Sequence, residues 1–420
     1  MANRYWVGGT GVWNSISTAN WSTATGLSFT ASCTGTALTT TGSPALVVGM
    51  TVWSNNHTSL GTIVSGALNT WVVTIGGTYA SQEMSAATVG ASIPAASDSV
   101  FFDANSNSGT SVFTVTIINS SRFCNDFTAS GLDGTMTLAG TNLGLVVSGS
   151  LTFQATNFNA TYTGNTTFNA TTTGKTVTTN GVALAGNVNF NGVGGAWSLG
   201  SALTIGSIRT ATLTNGTLDL NGKTLTVGTR FTTATGTKNL TFNGGTLICP
   251  DPNTTSFNNA VPTGFTTTAG TGVGTISMTA ATAKTFVGGG STFNCTLNQG
   301  GAGALTITGS NTFSNITNTR KSTSATSILF TAGTTSTFTD WNASGESTRL
   351  LTIGSDTAAS HTLTKASGTV SSDFLSISRS TATGGASWYA GANSTDGGNN
   401  SGWIFTAPPS TATGNFLVFF

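Results

Sequence analysis

Short runs of alternating apolar and polar residues, each broken at a glycine, recur along the middle of this chain. "VVSGSLTF", "TYTGNTTF", "ALAGNVNF", "WSLGSALTI", "DLNGKTLTV" and "TFNGGTLI" surround Gly149, Gly164, Gly186, Gly200, Gly222 and Gly244. Alternation with a period of two marks a strand with one face buried. In the first three runs a phenylalanine stands four residues after the glycine (Phe153, Phe168, Phe190). In the next two the apolar residues shift to three and five after it. The glycines are 15, 22, 14, 22 and 22 residues apart, and the pattern returns at Gly309, Gly333 and Gly354 with gaps of 24 and 21. Degenerate repeats of roughly 20 residues predict a β-solenoid, because one coil cannot bury its own apolar face and stacked coils can. The competing architecture is a β-sandwich rich in glycine turns, since the spacing is uneven.

The expected fold is all-β: a β-solenoid or β-helix-like stack over 125–365, with a small β-module inserted near the N-terminus and an aromatic C-terminal cap. Residues 245–290 break the rhythm. "ICPDPNTTSFNNAVPTGF" holds three of the seven prolines and predicts a loop or lateral excursion, with re-entry near Ile276. At the N-terminus, 1–26 and 90–124 read as one split β-module. The stretch between them, 27–89, has a different texture and strands of its own ("TALTTT", "ALVVGMTVW", "GTIVSG", "TWVVTI"), enough for a small inserted β-domain. Insertion of this kind is tolerated where chain ends lie close together.

Composition narrows the function classes. Charged residues are 6% and the net charge is +1, while hydrophobics reach 37%, with 24 Phe and 9 Trp. Ordinary disorder would show high net charge and few aromatics. A nucleic-acid partner would need clustered Lys and Arg. No stretch of 18 apolar residues predicts a membrane span. The opening "MANRYWVGGTGVW" lacks an apolar core and predicts no signal peptide. Ser/Thr/Asn/Gly-rich β-sequence is nevertheless typical of extracellular surfaces. A protein of that kind without an export signal can leave the cell by lysis, as a virus does. Uncharged Asn and Thr also suit a stack, since they can form hydrogen-bonded ladders where like charges would repel.

Candidate chemistry is sparse. Cys33, Cys124, Cys249 and Cys295 are far apart, without a CxxC pair, and predict buried thiols rather than a zinc site. His57 and His361 stand alone. Of the carboxylates Asp98, Asp103, Asp340, Glu346, Asp356, Asp373 and Asp396, only Asp340 and Glu346 lie one short loop apart, in "DWNASGE". A glycosidase needs two carboxylates flanking one bond; the plainer expectation is a turn between coils. "STDGGNN" offers a cation one carboxylate and predicts a tight turn. No catalytic, cofactor or metal residues are assigned. Trp6, Trp13, Trp21, Trp388 and Trp403 fall at the two ends of the chain. They read as plugs for the open ends of the stack, with stacking on sugar rings as the alternative. In "SWYAGANSTDGGNNSGWIF" the expected cap, 366–405, is closed by Trp388, Tyr389, Trp403 and Phe405. Beyond it, 406–420 reads as an extended arm: Pro408 and Pro409 stiffen it, and Phe416, Leu417, Val418, Phe419 and Phe420 form an assembly element.

"RYWVGGTGVWN…ANWS" with "IPAASDSVFFDANS", and the ending "SRSTATGGASWYAGANSTDGGNNSGWIF", resemble the opening and closing segments of repetitive structural proteins of tailed bacteriophages. The stretch "FTASCTGTALTTTGSPALVVGMTVW" resembles a β-module scattered through phage tail and fibre proteins. The resemblance implies a virion component, assembled in the host cytoplasm and exposed on the particle. It implies no catalytic residues and no cofactor. A tail fibre or spike contacting the host surface is the leading expectation. A capsid-decoration or head-fibre protein and a polysaccharide-degrading tailspike are the alternatives, and a secreted adhesin is disfavoured by the missing signal. The partners implied are further copies of the chain (three-fold by family analogy), other virion proteins and host surface glycans, with neither nucleic acid nor membrane insertion.

Overall fold

A computed structural model describes residues 1–107, 109–251 and 255–409. The protein is all-β, and a β-solenoid of about 13 turns lies between residues 113 and 396. The described chain divides into two compact units: Met1–Leu247 with Thr263–Phe265, and Ile248–Pro262 with the chain from Thr266 onward. Successive coils in each unit pair in parallel. Parallel pairing needs a full crossover between partners, which one coil supplies. A sandwich of hairpins would pair antiparallel, so the sandwich alternative is excluded.

In the first unit, Arg122–Cys124, Leu145–Val147, Thr166–Phe168 and residues 188–190 stack in register, placing Cys124, Val147, Phe168 and Phe190 in one column. These inward residues are fully buried, and so is Phe153. Phe168 and Phe190 stack at 5.0 Å with Trp197 against both. The outward column carries Phe123, Val146, Thr167 and Asn189.

The uneven glycine spacing follows from three strands per coil. Gly164 and Gly186 precede the first strand of a coil (Thr166–Phe168, Val188–Leu199), so their 22-residue gap is one full turn. Gly200, Gly222 and Gly244 precede the third strand (Leu203–Thr204, Thr224–Thr226, Thr246–Cys249) and repeat at the same interval. Gly149 precedes a second strand, Leu151–Thr152. The gaps of 15 and 14 are therefore two-thirds of a turn, from one kind of corner to another. Asn221–Gly222 and Asn243–Gly244 have positive φ at both residues (49° and 70°, 46° and 77°), the reason this corner uses Asn-Gly. Gly354 is different: it sits inside the strand Leu351–Ser355.

The expected excursion at 245–290 is not there. Thr246–Cys249, Thr255–Asn258, Phe265–Thr268, Gly274–Met278 and Lys284–Val287 follow one another at coil spacing. Pro250 and Pro262 fall between strands, where no ladder hydrogen bond is asked of them.

The strands of 27–89 form a separate antiparallel sheet: Leu27–Thr40, Thr51–Ser54, Ser59–Ala67 and Thr70–Ala87. Phe29, Leu38, Val52, Leu60, Ile63 and Met84 belong to a core of its own. The flanking chain joins the coils directly. Asn3–Trp6 lies parallel to Ser99–Phe102, which lies parallel to Phe127–Ala129. Gly11–Trp13 pairs with Phe113–Ile117. In the second unit, coils continue through the expected cap: Thr369–Ser371, Ser387–Tyr389 and Trp403–Ile404 form a parallel ladder. Parallel stacking thus extends on both sides of 125–365, because the flanking strands keep the same register.

Candidate functional site

Indoles close both ends of the chain on its own units. In the first unit, Trp6, Trp13 and Trp21 are fully buried, with Trp21 edge-on to Trp6 at 5.1 Å and to Trp13 at 5.3 Å. Trp6 Nε1 donates to Gly9 O at 2.7 Å. In the second, Trp388 and Trp403 meet at 5.1 Å and both pack on Trp341. Their N–H groups donate to Thr383 O and Ser380 Oγ, which fixes each ring. Tyr389 pairs in register with Ile404 and is half-buried, as is Phe405. Trp6, Trp13, Trp21 and Trp388 have no open ring face, so a sugar cannot stack on them. Phe416, Leu417, Val418, Phe419 and Phe420 lie outside the described residues.

Asp340 and Glu346 engage different cations. Asp340 is 67% exposed in its side chain and faces Lys365 at 3.4 Å. Glu346 pairs with Arg349 at 2.9 Å. Asp340 lines an open cleft of about 370 Å³ with Thr337, Thr339, Lys365 and Ser367. Glu346 is not among the residues lining it. The other carboxylates hold backbone. Asp98 and Asp103 accept from nearby N–H groups, and Asp356 accepts from Ala332 N–H at 2.9 Å. Burial works to raise the Asp373 carboxyl, but the Asn393 side chain and the Phe374 and Asn393 N–H groups outweigh it and hold it below the usual range. Asp396 accepts from Gly398 N–H and from Asn400 Nδ2, so "STDGGNN" is a turn whose carboxylate is already used.

All four cysteines are buried thiols. Burial raises the Cys124 and Cys295 thiols far above their ordinary range, which keeps them protonated and unreactive. His361 is fully buried and stacks on Phe330 at 4.8 Å. The Ser355 hydroxyl donates to Arg379 O and accepts from the ring's Nδ1–H at 2.9 Å. Burial lowers the His361 pKa to about 4, with Asp356 opposing.

Three features were missed at the level of sequence pattern. Lys284 is 1% exposed; its ammonium donates to Ala280 O and Gly303 O, and burial, aided by Arg320, lowers its pKa to about 8. Gly8 and Gly9, both at positive φ, receive Trp53 and His57 of the inserted module; a Cβ on Gly8 would stand 2.7 Å from the Trp53 ring. The doublet in "RYWVGGTGVW" was the available clue. The third is a break in one face of the first unit, described below.

Among the described residues, no group of three or more His, Cys, Asp or Glu is placed to hold a metal, and no helix is long and apolar enough to cross a membrane. Comparison with family models, curated proteins and solved structures returned no match.

Proposed function

We propose that this chain is a non-enzymatic structural protein of a tailed-bacteriophage particle, a tail fibre or spike component that contacts the host surface as a homo-oligomer. The observation that carries this reading is the uncharged, hydrogen-bonded outer wall of the coils. Asn215 Nδ2 donates to Asn191 Oδ1 at 2.8 Å, and Asn187 Nδ2 to Asn165 Oδ1 at 3.3 Å. In the second unit, Asn342 Nδ2 donates to Asn315 Oδ1 at 3.3 Å. Such ladders do not depend on ion pairs, so changes in salt leave them intact. That suits a part exposed outside a cell. Rows of hydroxyl and amide groups also offer the hydrogen-bond partners that neutral surface glycans require. The separate ion pairs of Asp340 and Glu346 favour a binding part over a hydrolase.

The test is gold-labelled antibody against the chain on purified particles, viewed by electron microscopy. Label at the tail is expected. Label on the head would replace this reading with capsid decoration, and absence from particles would overturn it. Incubation with host polysaccharide should release no reducing ends. Release that disappears in Asp340→Asn or Glu346→Gln would make the chain a degrading tailspike.

A further inference from the structure

The third face of the first unit is interrupted. Gly11–Trp13, Phe113–Ile117, Met136–Ala139 and Phe158–Ala160 form one four-stranded parallel sheet, and Phe158–Ala160 is its edge. The next ladder on that face starts two coils later, at Leu203–Thr204. The intervening coil turns away from that edge: Asn180 and Gly181 both have positive φ, Val182 N–H donates back to Thr179 O, and Leu184 pairs onward with Ile205 of the following coil. The edge is chemically unsatisfied. Met136 N–H donates to Asn157 O, and Thr161 N–H to Leu138 O, so the odd-numbered groups serve the preceding coil. The pleat turns the N–H and C=O of Phe158 and Ala160 the other way. Neither has a backbone partner there among the described residues. Beside them is a cleft of about 340 Å³, where Ala155, Ala160, Gly181 and Ala183 keep the wall low between Phe158 and Val182.

We propose that this break is a strand-acceptor slot, and that its occupant is the segment 415–420 of a second copy of the chain. Paired backbone donors and acceptors at a sheet edge select an extended strand over a folded partner. Small wall residues leave room for large side chains, and "NFLVFF" holds the longest run of consecutive bulky apolar residues in this sequence. Slot and segment are both uncharged. The described chain ends at Pro409, and 11 residues, 410–420, follow it. Extended, they reach roughly 40 Å at about 3.3–3.6 Å per residue, enough to leave their own coil. Each chain has one such segment and one such slot, so copies exchange either reciprocally in a two-fold pair or head to tail around a ring. The inference rests on the homo-oligomer in the proposed function, but its failure would leave the particle-labelling result untouched.

The test is disulfide trapping in the full chain, where the native thiols are buried. Thr161→Cys, at the exposed lip, is placed in one tagged copy and Leu417→Cys in another. Under mild oxidation the mixture should give a cross-link between the two tags. Adding Ala183→Trp to the acceptor fills the slot at an exposed position and should cut the yield about tenfold, equivalent to about 1.4 kcal/mol. Its unfolding transition should match that of the parent. Three results would overturn the proposal: no cross-link, a cross-link unchanged by Ala183→Trp, or a product only within one chain carrying both cysteines.

Discussion

The inserted module and the coils around it draw on the same small vocabulary of Thr, Ser, Val and Phe, and they bury their cores in opposite ways. The module folds back on itself. Leu27–Thr40 pairs with Thr70–Ala87 across one antiparallel ladder, and the apolar residues of both close over a single cluster. The coils have no such closure. Phe168 is covered by the coil before it and the coil after it, and each coil's backbone bonds go to its neighbours. An insert can be gained or lost as a unit; a coil cannot, because stability in a solenoid is a sum of nearest-neighbour terms. The join is local: Trp53 packs with Val7, Ala87 and Val89 with its ring over Gly8, His57 lies against Gly9 and Phe113, and Ser111 Oγ donates to Asn55 O.

Polar burial differs as well. In the module the buried polar side chains are small hydroxyls, Thr40, Ser54 and Ser85, beside an apolar cluster. Coils bury Lys284, Gln299 and His361 within them. Corners make this possible, because strands end there and leave carbonyls free to accept: Gly303 O takes both Lys284 Nζ and Gln299 Nε2.

The largest effect expected from breaking this contrast is Phe168→Ala. A buried phenylalanine costs about 3–5 kcal/mol on truncation. Here the loss should spread to neighbouring coils and spare the module. Hydrogen exchange should then quicken around 147 and 190 and stay slow in 27–87.

Acid should separate the regions next. The folded pKa of His361, about 4, lies below the ordinary value of 6.5. The unfolded chain therefore binds the extra proton first. The stability this group contributes is complete above about 6.5 and is lost as pH falls through about 4, at up to about 1.4 kcal/mol per pH unit. Urea melts between these values should show the slope in the second unit, and His361→Gln should flatten it.

Alkali should act with the same sign and to a similar extent through Lys284, whose folded pKa of about 8 lies below its ordinary 10.5. Stability should rise as pH goes from 8 to 10.5, and Lys284→Met should abolish the rise. Failure of the rise in the parent protein would mean that the ammonium finds a further partner.

Much of this contrast could be read before the structure. The phenylalanines four residues after Gly164 and Gly186 announced an inward column, and the change of texture at 27 and 89 marked the insert. Other features resisted for physical reasons. Gly149, Gly186 and Gly200 looked equivalent, although they turn into different strands of a coil, and spacing cannot distinguish a full turn from two-thirds of one. The prolines near 250 and 262 suggested an excursion because a corner and a loop share the same residue types. Nothing in the pattern singled out Lys284; only the fold reveals the carbonyls that receive it. Asp340 and Glu346 are close in sequence, yet Lys365 and Arg349 hold them separately. No pattern predicted that Phe158–Ala160 would face a turn instead of a strand.

The most direct measurement is deletion of 27–89 with Gly26 joined to Gly90, followed by denaturant unfolding of the remainder and of the excised module. Asn3–Trp6 and Ser99–Phe102 already pair without the module's strands, and Gly90 N–H already donates to Thr18 O. The account predicts that the remainder keeps its cooperative transition at nearly the parent midpoint and that the module unfolds cooperatively by itself. Loss of the remainder's cooperative transition would contradict it, since the coils would then depend on the insert rather than on one another.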